Sequence, residues 1–376
     1  MYYSYRPVAA AAALLLSLTC GPARAQVSFK PFVDGCLITS MSADGSVAVG
    51  NYGGGSNADS FRWTAAGGVE LIGVNGYANP EISRDGMTIV GSVPDSAGNL
   101  NAAVWQGGRK WRILAPFAGA VVSETSTISY ANGVSADGSV IVGGVYVSRT
   151  KVVAFRWDAV NGMVNLGTFD EGKNSDSVPL AVSADGNMVI GWDYKEGFSP
   201  PGPGSPAMNG RRGAIWTDGK ERLLHALGWA GEAWATNDVG SIIVGQFFPL
   251  NTNNVLQGAS TYKWTAWDGN FQDLGAVPVP PGGSPRDYIS QPYAMSDDGS
   301  VVGGDSGNVN NKSAMIWTHD TGMVNVSDYL TMKGVTDHQS WPQLTKTVYI
   351  SPDGRLMAGY GYKAYPSLST WIVTLK

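Results

Sequence analysis

The side chains that could do chemistry in this 376-residue chain are few and scattered. His225, His319 and His338 lie far apart in sequence, so no histidine-based zinc set is grouped. There is no Gly-x-Ser-x-Gly elbow, which leaves an esterase of that type without support. Acids offer more. Glu81, Glu232 and Asp287 are candidates for a general acid–base pair of the kind that cleaves polysaccharide. Aromatic residues form a second group. Trp192, Tyr194, Phe198, Phe247, Phe248, Tyr360 and Tyr362 fall around the ends of predicted strands, where rings could stack on a sugar or grip a peptide side chain. Together with Glu81 they are the candidate ligand-binding residues. No cofactor is implied, and no series of acidic ligands suggests a bound metal.

What must position these residues is a repeat. Ser42-Ala43-Asp44-Gly45 recurs as Ser83-Arg84-Asp85-Gly86, Ser135-Ala136-Asp137-Gly138 and Ser183-Ala184-Asp185-Gly186. It returns as a degenerate Asn237-Asp238-Val239-Gly240, then as Ser296-Asp297-Asp298-Gly299 and Ser351-Pro352-Asp353-Gly354. Each copy precedes an apolar run and then one tryptophan, at 63, 105, 157, 216, 264, 317 and 371. A period of about 50 residues means tandem supersecondary units. In the third copy the pattern predicts strands over 131–135, 140–142, 153–157 and 163–166. Asp137 and Gly138 suit a tight turn, the carboxylate by accepting local N–H groups and the glycine by reaching positive φ. Gly143-Gly144 is expected to end the second strand. Four antiparallel strands per unit describe a β-propeller blade, so the fold class expected is an all-β, seven-bladed propeller. The tryptophans are expected to anchor the contacts between blades.

Only five residues follow Trp371, too few for a fourth strand. The stretch from Val27 to Val33 is strand-like and precedes the first repeat, so the N-terminal strand is expected to complete the last blade and remove an exposed edge. The turns within each repeat are short. The connections from second to third strand and from blade to blade vary, and both are expected on one face, which is the candidate binding face. Glu81 is the odd residue of the inner strands, its counterparts being Ser40, Gly133, Ala181, Ala235, Ala294 and Tyr349. A carboxylate there would face the central channel and could have a raised pKa.

Residues 1–25 read as a cleaved signal peptide. Arg6 precedes an apolar run from Val8 to Leu18, and Ala23-Arg24-Ala25 fits the small-x-small cleavage pattern. The expected mature domain is therefore 26–376, located in the periplasm or outside the cell, with no transmembrane segment. It keeps only Cys36, so an internal disulfide is excluded. The formal net charge of -5, with no block of Lys or Arg, argues against nucleic acid as a partner.

The order Ser135-Ala136-Asp137-Gly138-Ser139-Val140-Ile141-Val142-Gly143, then Ala154-Phe155-Arg156-Trp157, then Gly162-Met163-Val164-Asn165-Leu166-Gly167, resembles the bacterial extracellular HAF repeats. The likeness spans the mature chain. It departs at the histidine of that family's motif, where Val153 or Ser60 stands here. The resemblance implies a secreted or surface-located bacterial protein. Ser351-Pro352-Asp353-Gly354 is also similar to a hairpin of periplasmic TolB-type propellers. The function expected is an exported, non-catalytic propeller that binds a ligand, or a protein or glycan partner at the cell envelope, through its long-loop face. The alternative is a secreted enzyme with carboxylates at the channel mouth.

Overall fold

The computed structural model describes residues 26–375, except 54–58, 75–79, 109, 170–175, 195–210, 225–229, 249–257, 266–268, 280, 284–287, 309–310 and 365–366. Its strands form seven antiparallel sheets of four. In blades 1 to 6 the strands run in chain order from the inner to the outer edge. The inner strands are Cys36–Met41, Glu81–Ile82, Ser129–Val134, Ser177–Val182, Gly231–Thr236 and Ile289–Met295. Blade 7 begins with Gln343–Ile350 and is completed from the other end of the chain. Ser28–Asp34 pairs with Ser367–Thr374, Phe29 opposite Val373 and Pro31 opposite Trp371. The ring is thus closed as the strand count required. The connection from blade 6 to blade 7 adds a short helix, α1 (Val326–Met332), that the repeat did not foretell.

Blades hold together through seven apolar clusters, one at each contact between neighbours. Every repeat tryptophan sits in the cluster shared with the preceding blade. Trp105 packs with Val47 and Val49 of blade 1, and Trp216 with Val140 and Val142 of blade 3. Trp63 meets Phe32 of the closing strand at 4.4 Å between ring centres. Burying one such ring is worth about 4–6 kcal/mol of transfer free energy. Cations of the preceding blade cover several rings, as Arg112 covers Trp157 and Arg222 covers Trp264. At the closing blade, Phe29, Trp341 and Trp371 are all buried beside α1.

The recurrent turn carries the hydrogen bonds its residue types imply. Ser42 Oγ donates to Asp44 Oδ1 at 2.7 Å and accepts from the Val47 N–H at 3.0 Å. Asp44 Oδ1 also accepts from the Ser46 N–H at 2.9 Å, and Gly45 sits at φ 71. These bonds hold the Asp44 carboxyl below its ordinary range, the Ser46 N–H being the largest cause.

One local expectation is corrected. The second strands do not stop at the glycine after the apolar run. In blade 3 the strand continues from Val140 to Tyr146, with Gly143 paired opposite Ala131. That glycine is required because a Cβ there would overlap the Tyr130 carbonyl. Gly50, Gly191, Gly245, Gly304 and Gly359 stand in the same relation to Leu37, Val178, Glu232, Gln291 and Lys346. Missing side chains on the second strand let the inner strand buckle toward it.

Candidate functional site: a channel cavity sealed at one end

The buckle makes the site. In six inner strands the register slips by one residue, twice in Gln343–Ile350, so a residue at each slip is left without a partner across the ladder. At the equivalent position of each strand the bulged residue is Thr39, Asn132, Leu180, Trp234, Tyr293 or Val348, and Thr345 is bulged besides. The six equivalent residues line one cavity of about 720 Å3 in the central channel. Tyr130, Lys346 and Leu37, each two residues earlier in its strand, add to the wall, as do Glu81, Tyr146 and Tyr360. Thr125 and Thr127 contribute from the connection between blades 2 and 3, which places the cavity at the end of the channel carrying the variable connections.

The wall has two sides. Leu180, Trp234 and Tyr293 on blades 4, 5 and 6 form an apolar, aromatic arc, with Trp234 edge-on to Tyr293 at 5.1 Å. Blades 7, 1 and 2 supply Lys346, Thr39 and Glu81. Burial raises the Glu81 pKa to about 8, opposed by a hydrogen bond from Ser40 and by the charge of Lys346. Burial likewise lowers the Lys346 pKa to about 8, against the pull of Asp305. The Lys346 ammonium rests 3.4 Å from the centre of the Tyr293 ring. Asp305, nearby, accepts from Lys312 Nζ at 3.0 Å and from the Tyr293 hydroxyl at 3.3 Å. Among the described lining residues Glu81 is the single carboxylate.

The opposite end of the channel is closed by the second residue of each turn. In chain order these are Ala43, Arg84, Ala136, Ala184, Asp238, Asp297 and Pro352. Arg84 makes a two-pronged bond to Asp297, at 3.1 Å and 3.2 Å, and also pairs with Asp238. In a ring of seven, blades 5 and 6 are the two farthest from blade 2, so this side chain spans the channel. Burial and the neighbouring Asp297 raise the Asp238 pKa, while Arg84 opposes the rise.

Around that plug the turns are joined in a circle. The Ala43 N–H donates to Arg84 O, the Asp85 N–H to Ala136 O, and the Ala136 N–H to Ala184 O, at 2.9, 3.1 and 3.0 Å. The Ala184 N–H donates to Asp238 O and the Asp297 N–H to Pro352 O, both at 2.9 Å. Pro352 has no N–H for the next link. There Tyr349 substitutes, its hydroxyl donating to Ser42 O at 2.8 Å and Ala43 O at 3.2 Å. Between blades 5 and 6 the Asn237 side-chain amide donates to Asp297 O at 3.1 Å. The degenerate fifth copy is therefore functional in its own way. Asn237 Oδ1 accepts from the Ile242 N–H at 3.0 Å, as the turn serine does elsewhere, and the displaced Asp238 becomes a partner of Arg84.

Of the candidate residues, Glu81 and Tyr360 meet in the cavity. Trp192, Phe247 and Phe248 are 8%, 2% and 7% exposed, held in apolar clusters, so their rings are not offered to a ligand. They lie within or immediately after longer second strands; Phe247, for example, ends Ile242–Phe247. Tyr194 and Tyr362 are partly buried at strand positions outside the cavity wall. Glu232 is 3% exposed and engaged by Arg211 at 2.7 Å and Gln246 at 2.9 Å. Phe198 and Asp287 lie outside the described residues. Sequence reading missed Lys346, Trp234, Tyr293, Tyr130 and Asn132. A signal existed: the position just before Ser40, Gly133, Ala181, Ala235, Ala294 and Tyr349 varies sharply among copies, unlike the small residue that usually follows.

No family model and no curated protein matches the chain. Solved structures share its fold at low identity. The oligogalacturonate lyase of Vibrio parahaemolyticus is 12% identical with a TM-score of 0.54, over 93% of this chain and 97% of that one. The β-propeller domain of the Trilobed protease from Pyrococcus furiosus, described as having an open velcro topology, is 11% identical with a TM-score of 0.53, over 90% and 96%. TolB from Acinetobacter baumannii is 11% identical with a TM-score of 0.45, and the match covers 76% of this chain and 61% of that one. These likenesses concern the propeller fold. Among the described residues, no helix is long and apolar enough to cross a membrane.

Proposed function

We propose that this chain is an exported, non-catalytic propeller that binds a ligand at its variable-connection face, the ligand seating in the channel cavity. The observation that carries this reading is the cavity itself. It has about 720 Å3 of space, aromatic walls and two ionisable groups, and the far end of the channel is blocked by Arg84. A concave, largely apolar site with few convergent polar groups is the usual form of a small-molecule site. The signal sequence read in residues 1–25 supports export, to the periplasm or beyond. A carboxylate pair, which the enzymatic alternative needs, is not favoured, because Glu81 has no second acid beside it on the described wall and Glu232 is tied to Arg211. Native mass spectrometry of the protein purified from its own cell envelope tests the proposal. A small adduct should be retained by the wild type and lost from the Trp234→Ala, Tyr293→Ala double variant, whose fold is checked by circular dichroism. An adduct pattern unchanged by that double substitution contradicts the reading.

A further inference from the structure

Resting on that cavity as the binding site, we propose that its ligand is a small zwitterion of amino-acid or dipeptide size with an apolar side chain. Three observations converge on this chemistry. Glu81 and Lys346 both line the cavity, on blades 2 and 7, and only the inner strand of blade 1 separates those blades. Among the described residues no ion pair joins the two, so neither neutralises the other by contact. Burial works against the charge of each, and the two shifts run in opposite directions, up for the acid and down for the amine. A ligand with an ammonium against Glu81 and a carboxylate against Lys346 gives each group a contacting counter-charge at once, with Thr39 between them. Charge-assisted hydrogen bonds of this kind are the strong ones.

The rest of the wall fits the rest of such a molecule. Leu180 and Trp234, on blades 4 and 5, stand away from the charged arc and would cover an apolar side chain, with the Tyr293 ring between Trp234 and the Lys346 ammonium. A neutral sugar would use the rings but give neither Glu81 nor Lys346 a contacting counter-charge. A simple anion or cation would satisfy one group and leave the other.

Titration calorimetry on the mature chain, residues 26–376, separates these cases. The probes are L-phenylalanine, Gly-L-Phe, N-acetyl-L-phenylalanine, L-phenylalaninamide and the neutral disaccharide cellobiose. The free amino acid or the dipeptide is expected to bind, and which is tighter reports the spacing between the two charges. Capping either terminus should weaken binding about tenfold or more, as expected for loss of one charged contact. Glu81→Gln should erase the penalty for acetylating the amine but not that for amidating the carboxylate, and Lys346→Met should do the reverse. Melting temperatures of both variants confirm folding. Equal binding of capped and free probes, or no binding of either zwitterion at millimolar concentration, overturns the inference. Cellobiose bound by the wild type and lost in Trp234→Ala also overturns it while leaving the cavity as a binding site. The envelope-adduct experiment above fails separately if the cavity holds nothing.

Discussion

At one end of the channel, seven near-identical turns are stitched into a circle and Arg84 crosses the opening to Asp238 and Asp297. At the other end, the same inner strands buckle, and each blade presents a different side chain: Thr39, Asn132, Leu180, Trp234, Tyr293, Val348. Sameness at the first end follows from what the turns do. Each must bond to the next, so each needs the same backbone shape. Variety at the second end is permitted because a bulged residue has no ladder partner and its side chain is turned to the channel wall, free of the register that the turns must keep. Repetition builds the seal, and departures from repetition build the site. The polar satisfaction of the two ends differs in the same sense: Arg84 has its carboxylates, whereas Glu81 and Lys346 are half-buried in the cavity wall with no ion pair between them.

The largest expected effect comes from breaking both ends together. Deleting residues 28–34 removes the outer strand of blade 7, with buried Phe29 and the Phe32 contact to Trp63, and unpairs Ser367–Thr374. A loss of roughly 4 kcal/mol or more is expected, measured by denaturant unfolding. Wild-type stability in that deletion would mean the ring does not depend on its closing strand.

Charge removal at the cavity end should stabilise the protein, with a pH dependence of known sign. The Glu81 carboxyl ordinarily titrates at 4.5 and here at about 8. Its contribution to stability is thus fully present below about 4.5 and lost as the pH rises through about 8. Glu81→Gln abolishes that loss and should gain roughly 2–3 kcal/mol at pH 9, after allowance for channel water, and little at pH 4. Lys346 runs the other way. Its pKa falls from 10.5 to about 8, so its contribution is present above 10.5 and lost as the pH falls through 8. Lys346→Met should therefore help most below pH 8. Thermal melts across pH check both, and parallel slopes for the two variants would contradict the assignment.

At the sealed end the same kind of substitution should harm. Arg84→Met leaves Asp238 and Asp297 facing each other without a cation. Because these side chains are 30–43% exposed, the expected cost is about 1–2 kcal/mol near neutral pH. The cost should shrink as acid protonates one carboxylate. An unchanged melting temperature at pH 7 would show that the plug contributes nothing. Smallest is Tyr349→Phe, which removes the hydroxyl serving in place of the Pro352 N–H and should cost about 1 kcal/mol. Restoring the N–H with Pro352→Ala in that background should recover part of it.

The propeller was legible in the sequence because the turn phrase and the tryptophan report local needs: a left-handed glycine, a carboxylate for turn amides, a large ring for the blade contact. Ring closure was legible because strands can be counted. The cavity was much less so. Glu81 stood out as a charge among small residues and does line it, together with Tyr360. Trp192, Phe247 and Phe248 were noticed for their type, but whether a ring faces solvent or core depends on strand length and twist, which apolar runs underestimate at the glycines. Trp234 was not legible as a wall residue because the bulge that turns it inward is a tertiary event, forced by the approach of two strands, and Lys346 stands ladder-paired between two such bulges. Arg84, Asp238 and Asp297 were visible as the charged residues at the second turn position, but nothing local says that blades 2, 5 and 6 meet across an axis.

Amide hydrogen exchange at single-residue resolution reads the contrast between the two ends most directly. The N–H groups of Ala43, Asp85, Ala136, Ala184 and Asp297 lie in surface turns but bond across blades. Their exchange should be slowed to the rate of the strand cores, while amides of the outer-hairpin turns on the same face, such as that of exposed Val160, bonded to the Asp158 carboxylate of its own turn, exchange much faster. Exchange of those five at the rate of open turns would contradict the sealed ring.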